Sequence, residues 1–138
     1  MKNKKRKKTI KHVFFFLLIG VLTLIGIWQL SAFRTRIQQA QQREKVALWC
    51  VQNLKGPKIK EIKVGTLTKY GLDGTGGASI DVEINNKKQN TIVLDIDGLD
   101  TNSDPTGGGF APKCEYTFAQ KANNNTLKGI KVEKWKKH

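Results

Sequence analysis

The hydrophobic pattern of this chain changes several times, and each change marks a different kind of segment. Residues 1–12 are strongly basic, and residues 13–33 form an uncharged apolar run. Residues 34–45 are polar, whereas residues 46–54 carry apolar side chains at helical spacing. Beyond residue 60, apolar and polar positions alternate in short runs, which is typical of β-strands. The pattern predicts a basic segment, an anchor, a helical stalk over 34–45 and a small folded domain over 46–138.

The apolar run is long enough to cross a lipid bilayer. As a helix it would extend about 31 Å, close to the thickness of the hydrocarbon layer. Seven basic residues precede it: Lys2, Lys4, Lys5, Arg6, Lys7, Lys8 and Lys11. Residues 34–43 hold only three, so the positive-inside rule keeps the N-terminus in the cytoplasm. We therefore expect a single-pass protein of the cell membrane, with residues 34–138 outside.

A cleaved signal peptide is the alternative interpretation of the same segment. Such peptides have a shorter apolar core that ends at small residues. Here the nearest candidate site, Leu30-Ser31-Ala32, begins with a bulky leucine. The length and the poor site favour an uncleaved anchor.

Alternation in the outer part predicts an α+β fold. Every second residue from Ile62 to Tyr70 fits one face of a strand. Residues 78–84 and 91–97 predict a β-hairpin around a polar turn at 85–88. A long loop over 98–112, a fourth strand over 114–118 and a last short strand near 130–132 follow. We expect the helix to continue out of the membrane until Gly56-Pro57 stops it. Its apolar stripe would pack on a mostly antiparallel sheet of four or five strands.

Two cysteines, Cys50 and Cys114, fall in the outer part. An even number of cysteines in an oxidising compartment predicts a disulfide, here between the helix and the fourth strand. Two buried free thiols are the alternative. A catalytic thiol is disfavoured because the histidines, His12 and His138, lie near the two ends of the chain.

The charge balance suggests what the protein meets at the membrane. Lys and Arg number 25 against 11 Asp and Glu, and half of that surplus lies in residues 1–12. The other half would favour an anionic envelope polymer or lipid headgroups, although scattered lysines also keep a small domain soluble. Tyr70, Tyr116 and Phe118 are spaced as core residues of strands, so we expect no nucleic acid partner.

One acidic cluster resembles the start of a calcium loop. Asp100, Asn102 and Asp104 have the spacing of oxygen ligands, but Pro105 replaces the required glycine and Ala111 the bidentate glutamate. We therefore predict no metal site and treat these three residues as candidate interaction residues.

A second candidate surface lies near the C-terminus, where Trp135 is followed by Lys136 and Lys137. By strand parity the tryptophan points away from Ile130 and Val132, toward solvent, where it could contact a partner. Alternatively, the ring covers one edge of the packed helix and sheet.

Glycine-rich segments at 74–77 and 107–109 do not open helices and lack a following Lys-Ser or Lys-Thr, so they predict turns and not phosphate loops. We predict no cofactor and no enzymatic activity. The paired carboxylates of Asp97 and Asp100 leave an enzyme acting on envelope polymers as an alternative.

The segment TLTKYGLDGTGGASIDVEINNKKQNTIVLDID, followed by a glycine-rich loop, resembles an uncharacterised family of small Gram-positive proteins. The family has a basic start, one span and a short outer domain. The resemblance implies this architecture and no catalytic residues.

These observations lead to one functional hypothesis and two alternatives. The hypothesis is a membrane-anchored, non-enzymatic binding module with an extracytoplasmic protein partner, such as a secreted toxin that it neutralises as an immunity protein. A pilin-like or secretion-apparatus subunit is one alternative, although the processing signals of pilins are missing near residue 13. A protein that binds or processes an envelope polymer is the other.

Overall fold

The computed structural model describes residues 2–72, 76–97, 103–119 and 126–136. The chain divides into two compact units, residues 1–39 and 40–138. One helix, α1, spans Lys2–Asn53. The strands are β1 Leu54–Lys55, β2 Glu61–Val64, β3 Thr68–Lys69, β4 Ala78–Ile84, β5 Thr91–Ile96, β6 Gly107–Phe110, β7 Thr117–Phe118 and β8 Lys131–Lys134. A 3₁₀-helix at Lys88–Asn90 precedes β5.

The first unit is the apolar part of α1. Its most apolar window has a mean hydropathy of 2.4, and none of that window is buried. Its small polar side chains bond back to the helix: the Ser31 hydroxyl donates to the Trp28 carbonyl at 2.8 Å. Such back-bonding satisfies hydroxyl groups where water is absent. Among the described residues, this is one helix long and apolar enough for a single-pass anchor, and a signal sequence would look the same.

The last turns of α1 belong to the second unit and carry the predicted apolar face. Val46, Ala47, Cys50 and Val51 are all buried. The helix ends at Asn53, whose side-chain amide donates to the Trp49 carbonyl at 2.8 Å. The end therefore comes before Gly56-Pro57, the predicted stop.

A mixed, mostly antiparallel sheet lies against this face and confirms the predicted α+β fold. The strand order is β6-β5-β4-β2-β8, with β3 also paired to β4. All pairs are antiparallel except β2 with β8, which run parallel. The predicted hairpin is β4–β5, with Val82 opposite Ile92. A separate two-stranded sheet joins β1 to β7.

The core lies between α1 and one face of the sheet. The predicted alternation holds in the three strands at its centre, where every second side chain points inward and is almost fully buried. These side chains are Ile62, Val64, Ile80, Val82, Ile84, Ile92, Leu94 and Ile96. Branched side chains dominate because they fill a pleated surface well. The carboxylates of Asp95 and Asp97 point to solvent on the other face.

Several sequence predictions about the strands are wrong. Residues 62–70 are not one strand, because β2 ends at Val64 and the two-residue strand β3 begins only at Thr68. Tyr70 is not a core residue: half of its side chain is exposed, and its hydroxyl bonds to Ser79. The long loop contains a strand, β6, that the run of three glycines concealed. Strand propensity is low for glycine, so the sequence alone favoured a loop there.

The predicted disulfide and the predicted fourth strand are also wrong. Both cysteines are free thiols: Cys50 is fully buried, and Cys114 is partly buried in a loop before the two-residue strand β7. Both contribute to the core, where a neutral thiol behaves as a small apolar group. Burial raises the pKa of the Cys50 thiol to about 12. The alternative of two free thiols describes this structure.

Candidate interaction surfaces

A groove of about 660 Å³ opens on the sheet face away from α1. Lys63 of β2, Glu83 of β4, Asn86 of the hairpin turn and Lys88 of the 3₁₀-helix line one part of it. The other part comes from Glu133, Lys134, Trp135 and Lys136, at the end of β8 and just beyond it. We call this surface the Trp135 groove.

Strand register brings these residues together. Lys63 lies opposite Glu83 in the antiparallel pair and opposite Glu133 in the parallel pair. Three side chains of alternating charge therefore form one row across the outer face of the sheet. The N–H of Trp135 donates to the Val64 carbonyl at 2.8 Å, which fixes the backbone of the tryptophan beside this row.

Both carboxylates of the groove have a cationic partner. The Lys63 ammonium lies 3.9 Å from Glu83 and donates to the Asn86 side-chain oxygen at 2.6 Å. Lys131, beside the groove, lies 2.5 Å from Glu133. This hydrogen bond lowers the pKa of the Glu133 carboxyl and raises that of Lys131. Glu133 is therefore ionised at neutral pH.

The remaining lysines of the groove are not compensated in this way. Lys88, Lys134 and Lys136 are exposed and make no ion pair within the described part of the chain. The groove is thus a cationic surface around one partly buried indole ring. Lysine acts as a point charge, and it attracts anions without the fork geometry that arginine imposes.

The opposite edge of the sheet offers a second surface, strand β6. The N–H of Ala111 donates to the Thr91 carbonyl at 2.9 Å. Because bonding alternates along an antiparallel ladder, Gly107 and Gly109 direct their backbone groups toward β5. Gly108 and Phe110 then direct theirs away from the sheet. Among the described residues, β6 pairs with β5 alone.

Packing requires glycine at only one of the three glycine positions of β6. A Cβ on Gly108 would lie 2.1 Å from the Val93 carbonyl oxygen, so only glycine fits there. A Cβ on Gly107 or Gly109 would meet nothing within 4 Å in the described part of the chain. Packing of the described residues does not require glycine at these two positions, and without side chains they leave the outer face of this edge open.

Aromatic side chains flank the β6 edge. The rings of Phe110 and Phe118 are 4.5 Å apart, and Trp49 of α1 contacts Phe118 edge to face at 6.0 Å. Phe118 keeps 42% of its surface exposed. The edge thus combines outward backbone groups with an apolar cluster that is only partly covered.

Three of the predicted interaction residues lie in the described part of the chain, and they fall near the two edges of the sheet. Trp135 and Lys136 line the Trp135 groove. Asp104, just before β6, is exposed and lies 3.6 Å from the Lys45 ammonium of α1. Asp100, Asn102 and Lys137 lie outside the described residues. Among the described side chains, no group of three or more potential metal ligands comes together.

Sequence reasoning missed the larger part of both surfaces. In the sequence, Lys63 and Glu83 are only polar positions within alternating runs. The available signal was their opposite charge on two strands, but pairing them requires the register. The β6 edge gave no strand signal at all, because glycine is depleted in strands.

No protein-family model matches the chain, and neither the curated proteins nor the solved structures include a significant match. The resemblance of residues 66–97 to an uncharacterised Gram-positive family therefore stays a hypothesis.

Proposed function

We propose that this protein is a membrane-anchored, non-enzymatic binding module that engages a protein partner outside the cytoplasmic membrane. The apolar part of α1 is the single-pass anchor. The lysine-rich N-terminus stays in the cytoplasm, because the positive-inside rule holds the more basic side there. The folded unit, residues 40–138, then lies at the outer membrane surface.

The open edge of β6 is the observation that supports a protein as the partner. Outward N–H and C=O groups at the end of a sheet are a template for an added strand, and native proteins usually block such edges with charge, proline or a covering segment. β6 contains neither a charged residue nor a proline. Strand addition supplies main-chain hydrogen bonds, and pockets beside the edge select side chains. The rings of Phe110 and Phe118 provide such an apolar contact. In this proposal, the strand that pairs with β6 is an extended segment of the partner protein.

Two variants at Phe110 test this proposal. Phe110→Ala removes the ring and keeps the outward N–H, whereas Phe110→Pro removes both the ring and the donor. The β5 ladder does not use this donor, so the two variants should have similar stability. We expect Phe110→Ala to weaken partner capture and Phe110→Pro to abolish it.

Capture itself is measured with a photo-crosslinking residue at Gly109, where there is room for a side chain, in the full chain on intact cells. A crosslinker at the exposed residue Lys128 serves as the matched control. One secreted or envelope protein specific to position 109 is the expected result. Recovery of no such protein, or equal capture by the two Phe110 variants, would contradict the proposal.

A secreted toxin is the narrower form of this partner hypothesis. If the module is an immunity protein, cells that lack it should become sensitive to the protein captured at β6. Unchanged growth of such cells in the presence of that protein would exclude the immunity role and would leave the binding role standing.

A further inference from the structure

The Trp135 groove is a second surface, at the other edge of the sheet from β6. Some charged side chains of this groove are paired with an opposite charge, and others are not. Glu83 and Glu133 are neutralised by Lys63 and Lys131. Lys88, Lys134 and Lys136 line the same groove as the indole and have no ion-pair partners among the described residues. A ligand that complements this surface brings negative charge and an apolar group.

The composition of the groove favours a protein segment as that ligand. Tryptophan is the side chain most enriched at energetically dominant positions of protein interfaces, which are surrounded by a polar rim. Because Glu83 and Glu133 are paired with Lys63 and Lys131, the centre of the groove has little net charge, and a uniform polyanion would gain little there. An acidic segment with apolar residues suits the groove better, because its carboxylates reach the outer lysines and its apolar side chain meets Trp135.

We propose that the Trp135 groove binds an acidic protein segment, with carboxylates of the segment paired to Lys88, Lys134 and Lys136 and an apolar side chain against Trp135. This inference rests on the proposed function only in that the ligand is a protein. It names a surface independent of β6.

The full chain in detergent micelles provides the test. The probe is a fluorescein-labelled, glutamate-rich copolymer of glutamate and tyrosine, and binding is followed by fluorescence anisotropy at low and high salt. We expect binding that weakens with salt, because exposed charges are screened. The charge-reversal variant Lys88→Glu, Lys134→Glu, Lys136→Glu should bind about tenfold more weakly or worse.

A matched variant separates the groove from the general charge of the protein. Lys55→Glu, Lys69→Glu, Lys128→Glu removes three exposed lysines that do not line the groove. It should bind the copolymer as the unmodified protein does. Trp135→Ala should weaken binding without changing its salt dependence, since the ring adds apolar contact and no charge. Loss of affinity by an equal factor in both lysine variants would overturn the proposal.

Two other anionic probes decide the class of ligand. Inorganic polyphosphate stands for phosphate-rich envelope polymers, and phosphatidylglycerol vesicles stand for the membrane surface. Tighter binding of either probe than of the copolymer, with the same dependence on Lys88, Lys134 and Lys136, would overturn the protein assignment. Absence of copolymer binding would overturn it as well.

Failure of this inference is distinguishable from failure of the proposed function. If the copolymer does not bind the groove while the partner is still captured at Gly109, the groove inference fails and the β6 proposal stands. If no partner is captured at Gly109 while the copolymer binds the groove, the reverse holds.

Discussion

The side-chain amide of Asn85 donates to the hydroxyl of Tyr116 at 3.1 Å, which joins the β4–β5 turn to the segment before β7. The same amide group donates to the Lys58 carbonyl at 2.9 Å. Its oxygen accepts from the N–H groups of Lys60 and Glu61 at 2.7 and 3.2 Å. Asn85 also has a φ of 56°, a left-handed conformation that asparagine tolerates better than most residues. One side chain therefore connects three stretches of chain.

Replacing Asn85 should destabilise the folded unit in two separable steps. Asn85→Gly keeps the left-handed backbone but removes the side-chain hydrogen bonds, and we expect a loss of about 2 kcal/mol. Asn85→Ala adds the conformational penalty of a Cβ, about 1 kcal/mol more. Denaturant unfolding followed by near-UV circular dichroism measures both. Equal stability of the two variants would show that the backbone conformation contributes nothing.

Tyr116 should make the protein sensitive to alkaline pH. Burial, and then the negative charge of Glu115, raise the pKa of its hydroxyl from 10.0 to about 12. Because the folded state favours the neutral phenol, this stabilisation is complete below pH 10 and is lost as the pH rises through 12.

Unfolding midpoints measured across that pH range should fall more steeply for the unmodified protein than for Tyr116→Phe. Lysines also lose their charge in this window, so the difference between the two proteins is the quantity that reports Tyr116. Parallel curves would contradict the assignment.

The two cysteines should differ in reactivity. We expect a thiol reagent to modify Cys114 slowly in the folded protein and to leave Cys50 unmodified, because Cys50 is fully buried and its pKa is raised to about 12. In denaturant, without reductant, both should react. The variants Cys114→Ala and Cys50→Ala show which cysteine accounts for each modification. If denatured protein released thiols only after reduction, the cysteines would be bridged.

The glycines of β6 should respond differently to alanine. Gly108→Ala places a Cβ against the Val93 carbonyl oxygen and should cost on the order of 2 kcal/mol as the strand shifts away from β5. Gly109→Ala is the matched control in open space, and it should be neutral or stabilise by up to about 1 kcal/mol. Thermal unfolding of the two variants measures the difference. Equal destabilisation would mean that the β5–β6 register differs from the one described.

Local pattern was sufficient for the elements whose signal lies within a few residues. The apolar run at 13–33 predicts the exposed apolar part of α1, because a helix without a polar face cannot be covered by so small a domain. Alternation at 78–84 and 91–97 predicts the β4–β5 hairpin, because a strand buried on one face must alternate. The apolar face around Cys50 predicts packing of α1 on the sheet. Each of these follows from periodicity alone.

Only the tertiary structure determined the features that depend on contacts between residues distant in sequence. Pairing of β8 with β2 brings Glu133 beside Lys63 across some seventy residues, and no local pattern encodes a parallel register. β6 exists because β5 supplies hydrogen-bond partners to glycines that have no strand preference of their own. The two thiols remain free in a core that either a bridge or two thiols could fill. The sequence by itself thus determined the long apolar helix, the hairpin and the fold class, since these follow from which residues must avoid water. Only the folded chain determined the groove and the open edge, since these follow from which strands become neighbours.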